Sequence, residues 1–348
     1  MQPDSTDTEH DTGNEVHRQD GQPTPTPWSN ALGVAIGLAV LVGALVTAFA
    51  WPASETRPRD VPLAVVAPPG AVAEVEQRLS SAMPGAFDVE PAPDAGAARE
   101  LIADREVYGA IILDPAGPPQ ALTASAASPA VAQMLEGVAT QLAQQAGGAP
   151  APQVEDVVPL PDQDPRGAGL TAAALPMTLG GLAIGLGMSF TVAGARRVVA
   201  GALVAATATG LIAALVVQVW LGSLDGNYWV NAGVIALAVA AVSVALIGLY
   251  AALGRPGIGL GALVMLLLGN PLSGVPTAPE MLPNGWGAFG QLLPPGASGT
   301  LLRSTAFFDG AAAGGPLLVL TAWLAGGLLL AVVGHRRLRL GSRALEHS

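Results

Sequence analysis

The sequence predicts a polytopic α-helical membrane protein, with six transmembrane helices and a small α/β extracytoplasmic domain between the first and second. Three observations predict this. Of the 348 residues 51% are hydrophobic and mean hydropathy is +0.49, with the apolar residues gathered in long uncharged runs, as membrane spans require. The one sizeable polar block, 51–169, alternates short β-type runs with helical patterns, the signature of an α/β domain. Arginines cluster in alternate turns between the apolar runs, which fixes an orientation.

In chain order, residues 1–30 read as a disordered cytoplasmic tail. They hold six acids against one arginine and almost no large apolar residue, too little to offset the entropy of ordering. Ala31–Ala50 is an uncharged run long enough for a first transmembrane helix. A cleavable signal is the rival reading, because Ala48-Phe49-Ala50 resembles a processing site. The acidic flank and the length of the run favour a retained span.

Within 51–169, Pro62–Ala67, Phe87–Val89, Val107–Leu113 and Pro119–Thr123 read as strands. Ala71–Met83, with Val72, Val75, Leu79 and Met83 on one face, reads as a helix, as do Ala95–Ala103 and Val131–Gln145. Gly147–Gly169, rich in Pro, Gly and Asp, reads as a tether. It contains Asp162 and Asp164, a D-x-D pair with no calcium-type loop after it, and so a polar linker rather than a metal site.

From 170 to 334 a five-helix membrane domain follows, with spans at about Leu170–Ala193, Val198–Leu221, Tyr228–Leu253, Gly257–Leu268 and Pro316–Val333. The fourth of these is short for a hydrocarbon core of about 30 Å. Either its helix continues past Pro271, or the next stretch completes it. That stretch, 269–315, carries many prolines together with Trp286, Phe289, Leu292, Leu293, Leu301, Leu302, Phe307 and Phe308. So many large apolar side chains suit a segment that dips into, or lies on, the outer face of the bundle, where protein covers its backbone. Residues 335–348 read as a cytoplasmic tail. Arg196 and Arg197, Arg255, and the tail arginines 336, 337, 339 and 343 then all lie inside. Both termini become cytoplasmic, and 51–169 and 269–315 face outward.

The chemistry available is narrow. There is no cysteine, all 15 basic residues are arginine, and the histidines, at 10, 17, 335 and 347, sit in or beside the tails. This excludes thiolate chemistry, a lysine Schiff base, a Walker A loop, and a histidine triad or zinc site in the body. No cofactor is expected. An acidic soluble block and a net charge of −11 speak against a nucleic-acid partner. No Asp, Glu, Arg or His falls inside a proposed span, which argues against proton-coupled transport. Gln218, the most polar span residue, reads as an interhelical hydrogen-bond donor rather than a substrate ligand. Gly33 with Gly37, and Gly181 with Gly185, have small-xxx-small spacing that permits close helix contact. Arg303, the one basic residue of the outer segment, has two readings: an ion pair with Glu280 or Asp309, or a contact for an anionic head group.

Three stretches carry a family resemblance: VYGAIILDP at 107–115, GNPLSGVPTAPEMLPNGWGAFGQLLPPGASGTLLRSTAFFDG at 269–310, and the arginine-marked inner turns. Over residues 31–334 the chain resembles ABC-2-type exporter permeases, closest to their phage-infection-protein (YhgE-like) branch. The resemblance implies a homo- or heterodimer of permeases in the cytoplasmic membrane, docked to a cytoplasmic ATP-binding-cassette subunit and moving an amphiphilic substrate. It makes Arg196 and Arg197 the ATPase-coupling turn. It makes 269–315 a re-entrant segment, with Asn270, Pro271, Ser273, Gly274, Pro283, Trp286, Pro294, Pro295, Gly296 and Arg303 as its candidate site residues. This chain would itself be no enzyme. The competing reading is a non-transporting envelope protein whose extracytoplasmic domain binds a partner at the cell surface.

Overall fold

The computed structural model describes residues 27–68, 70–113, 118–145 and 151–345. The acidic tail up to residue 26 and the Asp114-Pro115 end of the 107–115 stretch lie outside the described residues. Among those described, five helices are long and apolar enough to cross a membrane: α1 (Trp28–Ser54), α5 (Ala168–Thr191), α6 (Ala195–Ala214, continued by a π-helical Leu215–Trp220), α7 (Tyr228–Leu253) and α11 (Gly314–Leu345, apolar to Gly334).

α7 is the centre of the helical part. It is hydrophobic on every side, with a mean hydropathy of 2.6 over its best window and 78% of that window buried. A helix without a polar face has nowhere to go but a core or a bilayer. α5, α6 and α11 all pack on it, and glycines set how closely. A Cβ on Gly181 would meet Val242 at 2.8 Å, and one on Gly185 would meet the Ser243 carbonyl at 2.8 Å. The Gly181/Gly185 pair is thus a real close-packing face. Gly327 of α11 stands equally close to the Val244 carbonyl, at 2.6 Å from a Cβ placed there. At its start α7 is capped by Asn227, whose side chain accepts from the Trp229 and Val230 amides at 2.9 and 3.2 Å. Gly254 ends it with φ 71°.

α8 (Arg255–Ala262) and the π-helical Leu263–Gly269 make one apolar helix of 15 residues, or about 22 Å at ~1.5 Å per residue. It stops before Pro271 in a turn at Asn270–Leu272. Of the two readings of this short span, continuation past Pro271 is therefore excluded. The stretch that follows is structured and packs back. A 3₁₀ turn at Pro279–Met281, α9 (Trp286–Gln291) and α10 (Pro294–Phe307) succeed one another, and α10 lies against α5, α7, α11 and the π-helical Leu263–Gly269. Most of α10 is buried, including Leu301, Leu302, Arg303 and Ser304, which accounts for the large apolar side chains in so proline-rich a segment.

The polar block folds as a five-stranded mixed sheet, order β2-β1-β3-β4-β5, from β1 (Val61–Val66), β2 (Phe87–Pro91), β3 (Gly109–Ile112), β4 (Gln120–Thr123) and β5 (Gln153–Asp156). β1 pairs parallel with β2 and β3, β3 antiparallel with β4, and β4 parallel with β5. Helices α2 (Ala71–Ala82), α3 (Ala95–Ala103) and α4 (Pro129–Gln145) cover it. Side-chain alternation sorts its residues into two cores. Val61, Leu63, Val65 and Ile111 pack with Val75 and Leu79 of α2 and Leu135 of α4, while Ala64, Ala110 and Leu122 pack with Ala98 and Ile102 of α3.

Two readings of this block need correction. Gly147–Gly169 is more than a tether, since β5 adds an edge strand within it. Its sequence, Gln-Val-Glu-Asp, is exposed throughout. What holds it is pairing with β4 and the Arg99–Glu155 ion pair at 2.6 Å, neither of which leaves an apolar pattern. Asp164 is also more than linker, because its two carboxylate oxygens accept from the Ala168 and Gly169 amides at 2.8 and 2.7 Å and cap α5. At the other end of the chain, α11 runs on to Leu345. The tail expected from residue 335 thus continues the helix, as its run of Arg and Leu residues, good helix formers, allows.

Candidate functional site

The α/β domain and the Pro-rich segment are joined through both of the domain's cores. Ala278 and Met281 complete one, and Phe308 completes the other. Backbone bonds reinforce the join, with the Arg57 and Arg59 amides donating to the Met281 and Glu280 carbonyls at 3.1 and 3.0 Å. Between the two parts lies a cavity of about 590 Å³, within the usual range of about 300–1,000 Å³ for small-molecule sites. Arg59, Arg105 and Tyr108 line it from the domain side, and Glu280, Thr300 and Arg303 from the segment.

Arg105 follows α3 in a left-handed conformation, φ 61°, which for a residue with a Cβ is strained by roughly 1–2 kcal/mol. That turn aims its guanidinium at α10. Nη1 donates to the Thr300 carbonyl at 3.0 Å and to Ser304 Oγ at 2.6 Å, and Cζ stands 5.1 Å from the centroid of the Phe308 ring. Tyr108, where the chain enters β3, donates its hydroxyl to Glu280 Oε2 at 2.7 Å. Burial and the neighbouring Glu280 carboxylate push the Tyr108 phenol well above its usual range.

Arg303 is the unusual member. It is 7% exposed, and among the described residues its hydrogen bond runs from Nη2 to the Val275 carbonyl at 3.1 Å. Its Nε is one of two buried side-chain donors without a hydrogen-bond partner among the described residues, Asn270 Nδ2 being the other. Burial, and after it the charge of Arg105, lowers the Arg303 guanidinium to about 10, still cationic at neutral pH. Neither Glu280 nor Asp309 forms an ion pair with it among the described residues, so that reading of Arg303 is corrected. Glu280 is engaged by Tyr108 instead.

The remaining candidates fall into separate groups. Pro283 lines the same cavity as Arg303. Asn270, Pro271, Ser273 and Gly274 line a second space of about 340 Å³, with Phe49 and Pro52 opposite. Trp286 stacks edge-on with Trp51 at 5.7 Å and with Phe289 at 5.9 Å. Pro294, Pro295 and Gly296 open α10 and are buried. Arg196 and Arg197 are exposed at the start of α6, after the short turn Val192–Gly194. Gln218 donates to the Gly226 carbonyl in the turn before α7 and accepts from Asn231 Nδ2 of α7, both at 3.0 Å, so toward the neighbouring helix it is an acceptor and not the expected donor. Asn231 Oδ1 in turn accepts from Thr305 of α10 at 2.9 Å.

Arg105 and Tyr108 escaped the sequence reading. The signal available was slight: an arginine straight after an acid, ahead of an apolar strand. Among the described residues no group of three or more His, Asp or Glu is placed to hold a metal ion. No family model, curated protein or solved structure matches this chain.

Proposed function

We propose that the chain is a six-span permease subunit of an ATP-driven exporter of the ABC-2 kind, moving an amphiphilic molecule across or out of the cytoplasmic membrane. In this reading α1, α5, α6, α7 and α11 are five of the spans, and α8 with its π-helical continuation is the remaining, shortened one. The α/β domain and 269–315 face outward, and both termini face inward. A single observation carries the reading. An apolar helix too short for the hydrocarbon core ends at Gly269 and is backed by α10, which returns into the helical packing. Irregular backbone of this kind is tolerated at membrane depth only when protein or a water-filled cavity covers it. The uncharged interiors of the long helices add that ions and protons are not the cargo. The energy then comes from a separate ATPase, with Arg196 and Arg197 offering the turn to which it docks.

One observation favours the second reading, a non-transporting envelope protein. The domain's two cores are completed by Ala278, Met281 and Phe308, an attachment suited to a fixed receptor. Purification from native membranes separates the two. Retention of an ATP-binding-cassette subunit is expected for the permease, and its absence under conditions that preserve other such complexes overturns that assignment. Topology is checked separately. The chain has no cysteine, so Trp286→Cys and Arg196→Cys give clean single-site reporters. An impermeant thiol reagent is expected to label the first on intact cells and the second only after lysis.

A further inference from the structure

We infer that α9 is a lipid-contacting helix: Trp286 sits at the head-group level of the bilayer, and the face it shares with Phe289 and Leu292 descends among the acyl chains. Only the membrane crossing of the reading above is needed for this, not export. Contacts at both ends place the helix. Trp286 meets Trp51, three residues before the end of α1. At the far end of α9, the Leu292 carbonyl accepts from Trp323 Nε1 at 2.8 Å. Trp323 stands nine residues into α11, roughly 14 Å along it at ~1.5 Å per residue. Pro294 and Pro295 follow, and share a small space with Thr178 and Ala238, which stand ten residues into α5 and α7 respectively.

α5, α7 and α11 begin at the same end of the helical part. A Cβ on Gly169 would meet Ser223, in the turn ahead of α7, and one on Gly226 would meet the Thr305 carbonyl, near where α10 gives way to α11. The turn between α9 and α10 therefore lies near the middle of a hydrocarbon core of about 30 Å. Its polar groups are satisfied by protein, as that depth demands. Besides the Leu292 carbonyl, the Leu293 amide donates to the Gly290 carbonyl at 3.1 Å. Gln291 donates to the Ser273 carbonyl and accepts from the Thr300 hydroxyl, at 2.8 and 2.7 Å.

Glycine decides which face of α9 meets lipid. Gly287 and Gly290 lie directly against the Pro279 and Leu272 carbonyls, leaving Trp286, Phe289 and Leu292 outside at 38%, 39% and 60% exposure. That apolar surface continues through Trp51 onto α1. Through Trp323 it reaches a furrow of about 270 Å³ between α7 and α11, lined by Ala245, Leu249, Gly326 and Leu330. A face that bridges spans is covered by what covers the spans, which is lipid. The order along it fits as well, since tryptophan favours the interface and purely apolar side chains the hydrocarbon below.

The chain has no cysteine, so Trp286→Cys, Phe289→Cys and Leu292→Cys can each carry a single nitroxide in full-length protein in phosphatidylcholine vesicles. Val204→Cys, at a 70% exposed position of α6, is the membrane control. Collisions with oxygen, which partitions into hydrocarbon, are compared with collisions with a water-soluble nickel chelate. The oxygen-to-nickel ratio is expected to climb from 286 to 289 to 292, and to reach the Val204 value at 292. A label at 292 shielded from both reagents means that protein, a second copy included, covers the face, and nickel access there means water; either overturns the inference. If Val204→Cys reads as lipid while 289 and 292 do not, the placement of α9 alone falls. If Val204→Cys is itself open to nickel, the membrane crossing falls with it. Should Leu292→Cys fail to fold, a ratio no higher at 289 than at 286 overturns the descent.

Discussion

Tyr108 is kept neutral by its surroundings, and this can be measured. Burial first, and the Glu280 carboxylate second, raise its phenol above the ordinary value of 10.0. A raised folded-state value stabilises the protonated form, so its contribution is complete below pH about 10 and is lost as pH climbs further. Phenolate absorbance should accordingly show one of the three tyrosines resisting ionisation until the protein unfolds in base. In Tyr108→Phe the resistant fraction should vanish. The same variant leaves Glu280 short of a donor and should lower stability by about 1–3 kcal/mol. A resistant fraction that survives the substitution would place the shielded phenol elsewhere. Sequence reading singled out Arg303 because it stood alone in an apolar stretch. It could not reach Arg105 or Tyr108, because a turn arginine gains its partners only when a segment some 200 positions later closes over it, as the Arg105–Ser304 bond does across 199 residues.

At the scale of elements, what could be read from the chain was whatever has a period. β1, α2, α3, β3 and α4 arise where alternation or a 3.6-residue stripe is written locally, with ends displaced by a residue or two. The long apolar helices were equally plain. β5 was hidden because an edge strand held by backbone pairing and one ion pair has no apolar alternation. The internal order of 269–315 was hidden because its packing depends on glycine contacts. A Cβ on Gly290 would overlap the Leu272 carbonyl, and one on Gly287 the Pro279 carbonyl, so α9 sits directly on the backbone before it. Gly290→Ala should consequently destabilise the protein by more than the ~1–3 kcal/mol typical of overpacked cores, since backbone cannot rotate away as a side chain can. Gly180→Ala, with nothing within 4 Å of its would-be Cβ, should be neutral or slightly stabilising. Detergent thermal unfolding of the pair checks this, and equal midpoints would refute the packing argument.

For the whole molecule, the α/β domain and the Pro-rich segment are one folding problem. Removing residues 60–160 looks at first like trimming a separate module. Yet the excision would strip the cover from Ala278, Met281 and Phe308, which finish the domain's cores. It would also remove the partners of Glu280, Thr300 and Ser304. Uncovering a large apolar side chain costs about 1.5–3 kcal/mol. The deletion should therefore loosen 278–308 selectively, while α7, packed among α5, α6 and α11, keeps its protection. Hydrogen exchange on the detergent-solubilised variant reads this out peptide by peptide. Amides of α9 and α10 are expected to exchange at least tenfold faster than in the intact protein, with those of α7 unchanged. Equal protection across 278–308 in the two proteins would mean that the segment is ordered by the helices alone, and that the domain is a passenger on it.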